Sequence, residues 1–154
     1  MTKTVFEKAD QLKDLNTQLV LHFEKLGKVI ENLLWQQALE HELSPLQIRI
    51  LLTIQYKNEE ITASRLAKQF NLSKATISVA LRPLEEKKML FRKASDKDGR
   101  SSILYLTDWG KQIAHISGFY LEPLQQVVAP ISISDKEIIL KNVKGILGKF
   151  DVDI

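Results

Sequence analysis

Residues 62–107, TASRLAKQFNLSKATISVALRPLEEKKMLFRKASDKDGRSSILYLT, decide the fold. TASRLAKQF predicts a short helix, Asn71-Leu72 a tight turn, and SKATISVALRPLEEKKM a second helix. Thr62 and Ser73 stand where each helix needs an N-cap, and Asn71 suits the left-handed geometry of the turn. Leu66, Ala67 and Phe70 fall on one side of the first helix, and Ile77, Leu81 and Leu84 on one side of the second. Residues 90–107 then read as a two-stranded ribbon. Leu90, Arg92 and Ala94 share one side, with Phe91 and Lys93 on the other; on the return strand Ile103 and Tyr105 oppose Leu104 and Leu106. Helix, short turn, helix and ribbon make a winged helix-turn-helix. Ile61, just upstream, is expected to form a minimal strand against the ribbon.

Charge singles out the same stretch. Residues 62–105 hold ten Lys and Arg against four Asp and Glu, a net of +6, which leaves the rest of a +3 chain at −3. A basic segment inside an otherwise acidic molecule is the electrostatic footprint of a polyanion-binding face. On the second helix the outward residues are Ser73, Lys74, Ala75, Thr76, Ser78, Val79 and Arg82. Small side chains let a helix enter the major groove, hydroxyls bond phosphates or base edges, and Ala or Val touch thymine methyls. Arg82 reaches a guanine edge or a phosphate. The ribbon contributes Arg92, Lys97, Asp98, Gly99 and Arg100. Gly99 offers a tight turn, Asp98 lies close enough to orient the Arg100 guanidinium, and an arginine on a thin tip suits the negative potential of a narrow minor groove.

On either side the pattern turns fully helical. From about Phe6 to His41 there is no proline, and Leu12, Leu15, Leu19, His22, Leu26, Val29 and Leu33 recur at steps of three and four, widened by Phe23, Ile30 and Leu34. Such a helix would be about 50 Å long, against a radius of gyration of about 15 Å for a chain of this size. It should overhang its core and need a second copy of the chain to cover its stripe, with Gly27 the place to bend or break. Ser44-Pro45 starts the next helix, with Leu46, Ile50, Leu51 and Ile54 inward until the polar loop 57–60. Beyond the ribbon, Asp108 is the expected cap of a helix from Trp109 to Val128 with the stripe Ile113, Ile116, Tyr120, Leu124 and Val127; Pro123 should kink it near residues 119–123, and Pro130 ends it. Ser134 and Glu137 read as a capping box for a last helix bearing Ile138, Ile139 or Leu140, Val143, Ile146, Leu147 and Phe150.

LSPLQIRILLTI, TASRLAKQFNLSKATISVALRPLEEKKML and DKDGRSSILYLTDWG, spanning residues 44–110, together resemble the MarR family of bacterial winged helix-turn-helix transcriptional regulators, most specifically in Asp98-x-Arg100 followed by Leu106-Thr107 and Gly110. The resemblance implies a homodimer joined through its first and last helices on a pseudo-palindromic operator. It also implies recognition-helix roles for Ser73, Lys74, Thr76, Ser78, Val79 and Arg82, and a wing pair Asp98 and Arg100. Two positions depart from the pattern. Lys88 stands where such sequences usually carry glycine, and Pro83 removes an N–H that would bond the Val79 carbonyl, which leaves the helix direction beyond residue 82 open. Relatives often take small aromatic or anionic effectors between the dimer helices and the DNA-binding lobe. Trp35, His41, Trp109, His115 and Phe119 are the candidate pocket residues, each also readable as a core or interface side chain.

Composition excludes much else. An apolar fraction of 44% with 27% charged residues is that of an ordinary globular chain, and the absence of cysteine removes disulfides, thiolate zinc sites and thiol switches. His22, His41 and His115 lack partners at metal-ligand spacing, so no metal or other cofactor is expected. There is no phosphate-binding glycine loop, nucleophile elbow or His–carboxylate pair at motif spacing, which argues against an enzyme. No apolar run suits a signal peptide or membrane span, and a cytoplasmic, nucleoid-associated protein is expected. The expected architecture is mainly α with a small β-ribbon: one domain over 1–154, a winged helix-turn-helix lobe at 44–107, and dimerisation helices at 5–41 and 108–150. The function implied is a homodimeric regulator of transcription on double-stranded DNA, a repressor with a small-molecule effector. The rival is a winged-helix protein-interaction module that meets an acidic partner.

Overall fold

Capping residues punctuate the chain. The computed structural model describes residues 14–97 and 99–150. In order these form α1 (Leu15–Glu40), α2 (Pro45–Tyr56), α3 (Ala63–Phe70), α4 (Lys74–Glu86), β1 (Leu90–Ala94), β2 (Ser102–Leu106), α5 (Asp108–Ser117), a 3-10 turn (Gly118–Leu121), α6 (Glu122–Val128), α7 (Ile133–Leu147) and a second 3-10 turn (Gly148–Phe150). Asp14 opens α1 by accepting from the amides of Asn16 and Thr17 at 3.1 and 3.3 Å. Ser44 opens α2 with a full capping box: its Oγ accepts from the Gln47 amide while Gln47 Oε1 accepts from the Ser44 amide. Thr62 and Ser73 cap α3 and α4 as their positions predict. The expected start of the first helix, with Leu12 of its stripe, lies outside the described residues.

Three helices end in the same way. Glu42, Asn71 and Lys88 all have positive φ, and they are the only non-glycine residues among those described that do. Asn71 sits one residue past α3, and Glu42 and Lys88 sit two past α1 and α4; in each helix the last carbonyls are taken up by a Schellman pair. Leu43 N bonds Ala38 O and Glu42 N bonds Leu39 O; Leu72 N bonds Ala67 O and Asn71 N bonds Lys68 O; Met89 N bonds Leu84 O and Lys88 N bonds Glu85 O. The lysine at 88 therefore occupies a left-handed position that glycine would fill with less strain.

The core gathers what the periodicity set aside. Ile50, Leu51, Leu66, Ile77, Leu81 and Leu84 are sealed from solvent, joined by Leu34 and Ala38 from the end of α1 and Ile113 and Ala114 from α5. Ile48 belongs with them, although the sequence reading did not single it out. The ribbon is antiparallel with Leu90 opposite Leu106 and Arg92 opposite Leu104, and Thr62 makes a single bridge to Ile103 while Leu104 N donates to Ile61 O. The minimal strand beside the ribbon is thus present as one bridge.

Gly110 shows how tightly α5 is set. A Cβ placed there would lie 1.9 Å from the Met89 carbonyl oxygen, a distance no side chain tolerates. Thr107 makes this approach: its amide donates to Met89 O, its Oγ1 donates to Lys88 O at 2.6 Å, and the same oxygen accepts from Gly110 N. Thr107, not Asp108, is the N-cap of α5; Asp108 lies in the first turn, where its charge favours the helix dipole.

Other expectations are corrected along the outer helices. Gly27 neither breaks nor ends α1, which runs through it. The helix expected from Trp109 to Val128 gives way, where its kink was expected, to the 3-10 turn at Gly118–Leu121 just ahead of Pro123, which has no N–H to continue an α ladder. The last helix begins two residues earlier than its expected box: Ser132, not Ser134, caps α7 and bonds Asp135 through both its amide and its carboxylate.

Contacts divide the chain into two units, Met1–Leu121 and Glu122–Ile154. Within the first, Leu15, Leu19, Phe23, Leu26 and Val29 of α1 remain exposed, Leu15 by 77%. Within the second, Ile133, Ile138, Ile139, Leu140 and Phe150 are likewise exposed. No described helix is long and apolar enough to cross a membrane.

Candidate nucleic-acid interface

The face of α4 opposite its core stripe is polar and open. With Ile77, Ala80, Leu81 and Leu84 turned inward, Ser73, Lys74, Ala75, Thr76, Ser78, Val79 and Arg82 are all exposed. Every recognition-helix residue expected from the sequence is therefore open to solvent. Ser73 Oγ accepts from Thr76 N at 3.0 Å and pairs with Thr76 Oγ1 at 2.8 Å, so the first turn presents fixed hydroxyls. Val79 is 69% exposed, a branched apolar side chain in the middle of a polar helix. A lone exposed valine is common on a protein surface, and beside these hydroxyls it leaves one apolar spot open to a partner.

Pro83 does not end the helix. α4 continues to Glu86, and Lys87 N closes onto the Pro83 carbonyl at 2.9 Å. Gln47 helps to hold this region, donating from Nε2 to the buried Ala80 carbonyl at 3.1 Å. That carbonyl neighbours the one at Val79 that Pro83 leaves without its helical donor. Gln47 was not singled out in the sequence; it is held by the α2 capping box and reaches Ala80 only through the tertiary fold.

On the ribbon the cations divide into two groups. At its base, Arg92 makes a bidentate pair with Glu85 of α4, Nε to Oε1 at 2.7 Å and Nη2 to Oε2 at 3.2 Å. Lys93 stands over the stacked rings of Phe91 and Tyr105, 5.6 and 5.4 Å from their centroids. At the tip, Lys97 and Arg100 are exposed, and the loop closes through Ser95 N to Ser101 O at 3.0 Å. Gly99 is in a turn but does not use the left-handed backbone that only glycine takes easily. Asp98, the expected partner of Arg100, lies outside the described residues. Elsewhere in the basic stretch Arg65 pairs with Glu59, and Lys87 donates to the Glu42 carbonyl at 2.7 Å.

The effector candidates are only partly brought together. A groove of about 460 Å³ is lined by Leu52, Thr53, Tyr56, His115, Gly118 and Phe119. His115 and Phe119 meet there edge to face, 5.4 Å between centroids. Trp35, His41 and Trp109 do not line it; the two tryptophans are exposed, and His41 Nε2 lies 3.1 Å from Gln37 Nε2. Leu52 and Tyr56 went unnoticed because their partners lie some sixty residues away in the chain. Among the described residues no group of His, Asp and Glu is arranged to hold a metal ion.

Comparison with known proteins agrees with this architecture. The family model described as MarR family matches residues 41–101. Over those residues, well under half of the chain, it is similar to that family. The chain is also 30% identical over 91 residues to the uncharacterized HTH-type transcriptional regulator YdgJ of Bacillus subtilis (strain 168), a match covering 58% of this chain and 56% of that relative. The chain thus spans little more than half the length of the curated relative it matches. Among solved structures it is similar to MepR, a transcription regulator of the Staphylococcus aureus multidrug efflux pump MepA, with TM-score 0.66 and 21% identity over 84% of this chain and 96% of the other. The S. aureus MepR–DNA complex matches with TM-score 0.71 at the same identity and coverage. At this identity the likeness concerns the fold alone.

Proposed function

We propose that this chain is a transcription regulator that binds double-stranded DNA as a homodimer, with α4 in the major groove and the ribbon tip at the flanking minor groove. The observation that carries this reading is the shared exposed face of Ser73 through Arg82, with Val79 open to meet a thymine methyl. Lys97, Gly99 and Arg100 at the tip, with Asp98, form the wing contact. The net +6 of residues 62–105 supplies the attraction to phosphate. Similarity in fold to a protein solved on DNA supports the same reading.

The exposed apolar residues of α1, and separately those of α7, support a dimer, since each helix leaves a stripe that water disfavours. Two copies of α4 would meet half-sites about 34–36 Å apart. The groove holding His115 and Phe119 is where a small aromatic or anionic effector would act to release a repressor from its operator. Cytoplasmic placement on the nucleoid follows from the same function.

The deciding measurement is a gel shift against duplex fragments of the neighbouring promoter, read across salt. The reading expects retardation whose log–log salt slope is near −0.9 per phosphate contacted. Undetectable or salt-insensitive binding overturns it. Co-purification with an acidic protein in place of DNA would favour the rival interaction module.

A further inference from the structure

Arg92 belongs to the basic wing by sequence, yet its guanidinium is turned back onto the carboxylate of Glu85 near the end of α4. We propose that Glu85 and Arg92 form a brace that fixes the wing against the recognition helix, so that Arg92 positions the DNA contacts rather than making one. The inference deepens the DNA-binding reading and rests on it for its consequences on affinity.

The geometry is selective. Both hydrogen bonds of the pair use the planar fork of arginine, which fixes direction as well as distance, and a lysine at 92 could not reproduce it. The two residues belong to the two elements whose relative pose matters most. Glu85 lies one turn beyond Arg82 on α4, and Arg92 lies in the middle of β1, opposite Leu104. Between them the chain makes its reversal through Lys88 and Met89, a left-handed stop held by backbone bonds. The side-chain pair closes this reversal into a loop. Without it, β1 and β2 are tied to the lobe at the single bridge between Thr62 and Ile103 and through the buried side chains at the ribbon base. Lys93, on the opposite ribbon face, is occupied with Phe91 and Tyr105 and offers no substitute.

A brace and a phosphate contact predict opposite results for Glu85→Gln. If Arg92 reached phosphate, removing a nearby carboxylate would free it and lessen repulsion, and binding would tighten. If the pair is a brace, Glu85→Gln and Arg92→Gln each weaken DNA binding by a similar factor, about fivefold for an exposed but bidentate pair. The double variant is then no worse than either single one. The salt slope separates the two independently: a lost phosphate contact lowers it by about 0.9, whereas a lost brace leaves it unchanged. The charge-swapped pair Glu85→Arg with Arg92→Glu should recover affinity. Hydrogen exchange at the ribbon amides tests the brace without DNA and should quicken in both single variants. Tighter binding by Glu85→Gln, a smaller salt slope for Arg92→Gln, or unchanged ribbon exchange overturns the proposal. Absence of DNA binding by the unaltered protein would sink the functional reading instead, and the exchange measurement would still decide the brace.

Discussion

The winged lobe and α1 are built from the same kinds of residue and use them in opposite ways. In the lobe, each helical stripe finds its counterpart within the chain: Leu66, Ile77, Leu81 and Leu84 are closed off completely. In α1 only the C-terminal end, at Leu34 and Ala38, is buried to that degree among its apolar residues, while Leu15, Leu19, Leu26 and Val29 stay open to water. The lobe is therefore self-sufficient, and α1 is a structure waiting for another surface. What the lobe leaves exposed is largely polar and cationic, with Val79 and Tyr56 among its open apolar side chains; α1 leaves a run of aliphatic residues open among its charged ones. Two different partners are implied, a polyanion for the first and an apolar surface for the second.

The contrast breaks most severely at Gly110. A Gly110→Val substitution drives a branched side chain into the Met89 carbonyl and separates α5 from the base of the ribbon. Overpacking usually costs about 1–3 kcal/mol, and here the obstacle is backbone that cannot rotate away. The variant should lose most of its cooperative thermal transition, measured by circular dichroism. Leu81→Ala is the milder companion, with a cost of about 3 kcal/mol. Neither loss is expected from Leu19→Ala, whose side chain is half exposed; an equal drop in melting temperature there would erase the distinction between lobe and α1.

The next test concerns association. Replacing Leu26 and Val29 together by glutamate puts two charges on the open stripe while leaving the lobe core untouched. Sedimentation should show the unaltered chain at twice the mass of the doubly substituted one, with the helical signal retained. A unit-mass unaltered protein would mean that the exposed stripe of α1 has some other cover.

Arg82 and Arg100 sharpen the polar side of the comparison. Each replaced by alanine should weaken operator binding by about tenfold or more, in line with about 1–3 kcal/mol for a good arginine contact. Arg100→Ala should act across sequences, whereas Arg82→Ala should also change which base is preferred at one position. Uniform loss on all duplexes would assign Arg82 to phosphate.

Periodicity and capping made most of this lobe legible before any coordinates, because its signals are local. Thr62, Ser73 and Asn71 each act within three or four residues, and strand alternation from Leu90 to Leu106 needs no distant information. The exposed face of α4 was readable for the same reason: it is the complement of a local stripe. What escaped was long-range. Gln47 reaching the Ala80 carbonyl, Arg92 turning back to Glu85, and Leu52 and Tyr56 lining a groove with His115 all depend on tertiary neighbours. Cap positions slipped by one or two residues where hydroxyls and carboxylates crowd together. Thr107 displaced Asp108 because its hydroxyl also reaches Lys88 O; Ser132 and Ser134 each have a carboxylate three residues on, and the pair that forms is Ser132 with Asp135.

The smallest effect lies at Lys88, the residue that most plainly departs from a local rule. Its left-handed backbone costs an L-residue about 1–2 kcal/mol, while glycine there would lose about 0.5–1 kcal/mol more entropy on folding. Lys88→Gly should therefore stabilise the lobe by about 0.5 kcal/mol, seen as a rise in denaturation midpoint with an unchanged slope. Asn71→Gly supplies the control, because asparagine already tolerates this conformation and the gain should vanish. Equal gains at both sites would show that the strain is generic to the Schellman stop. A loss at Lys88 alone would show that its side chain holds the reversal between α4 and the wing.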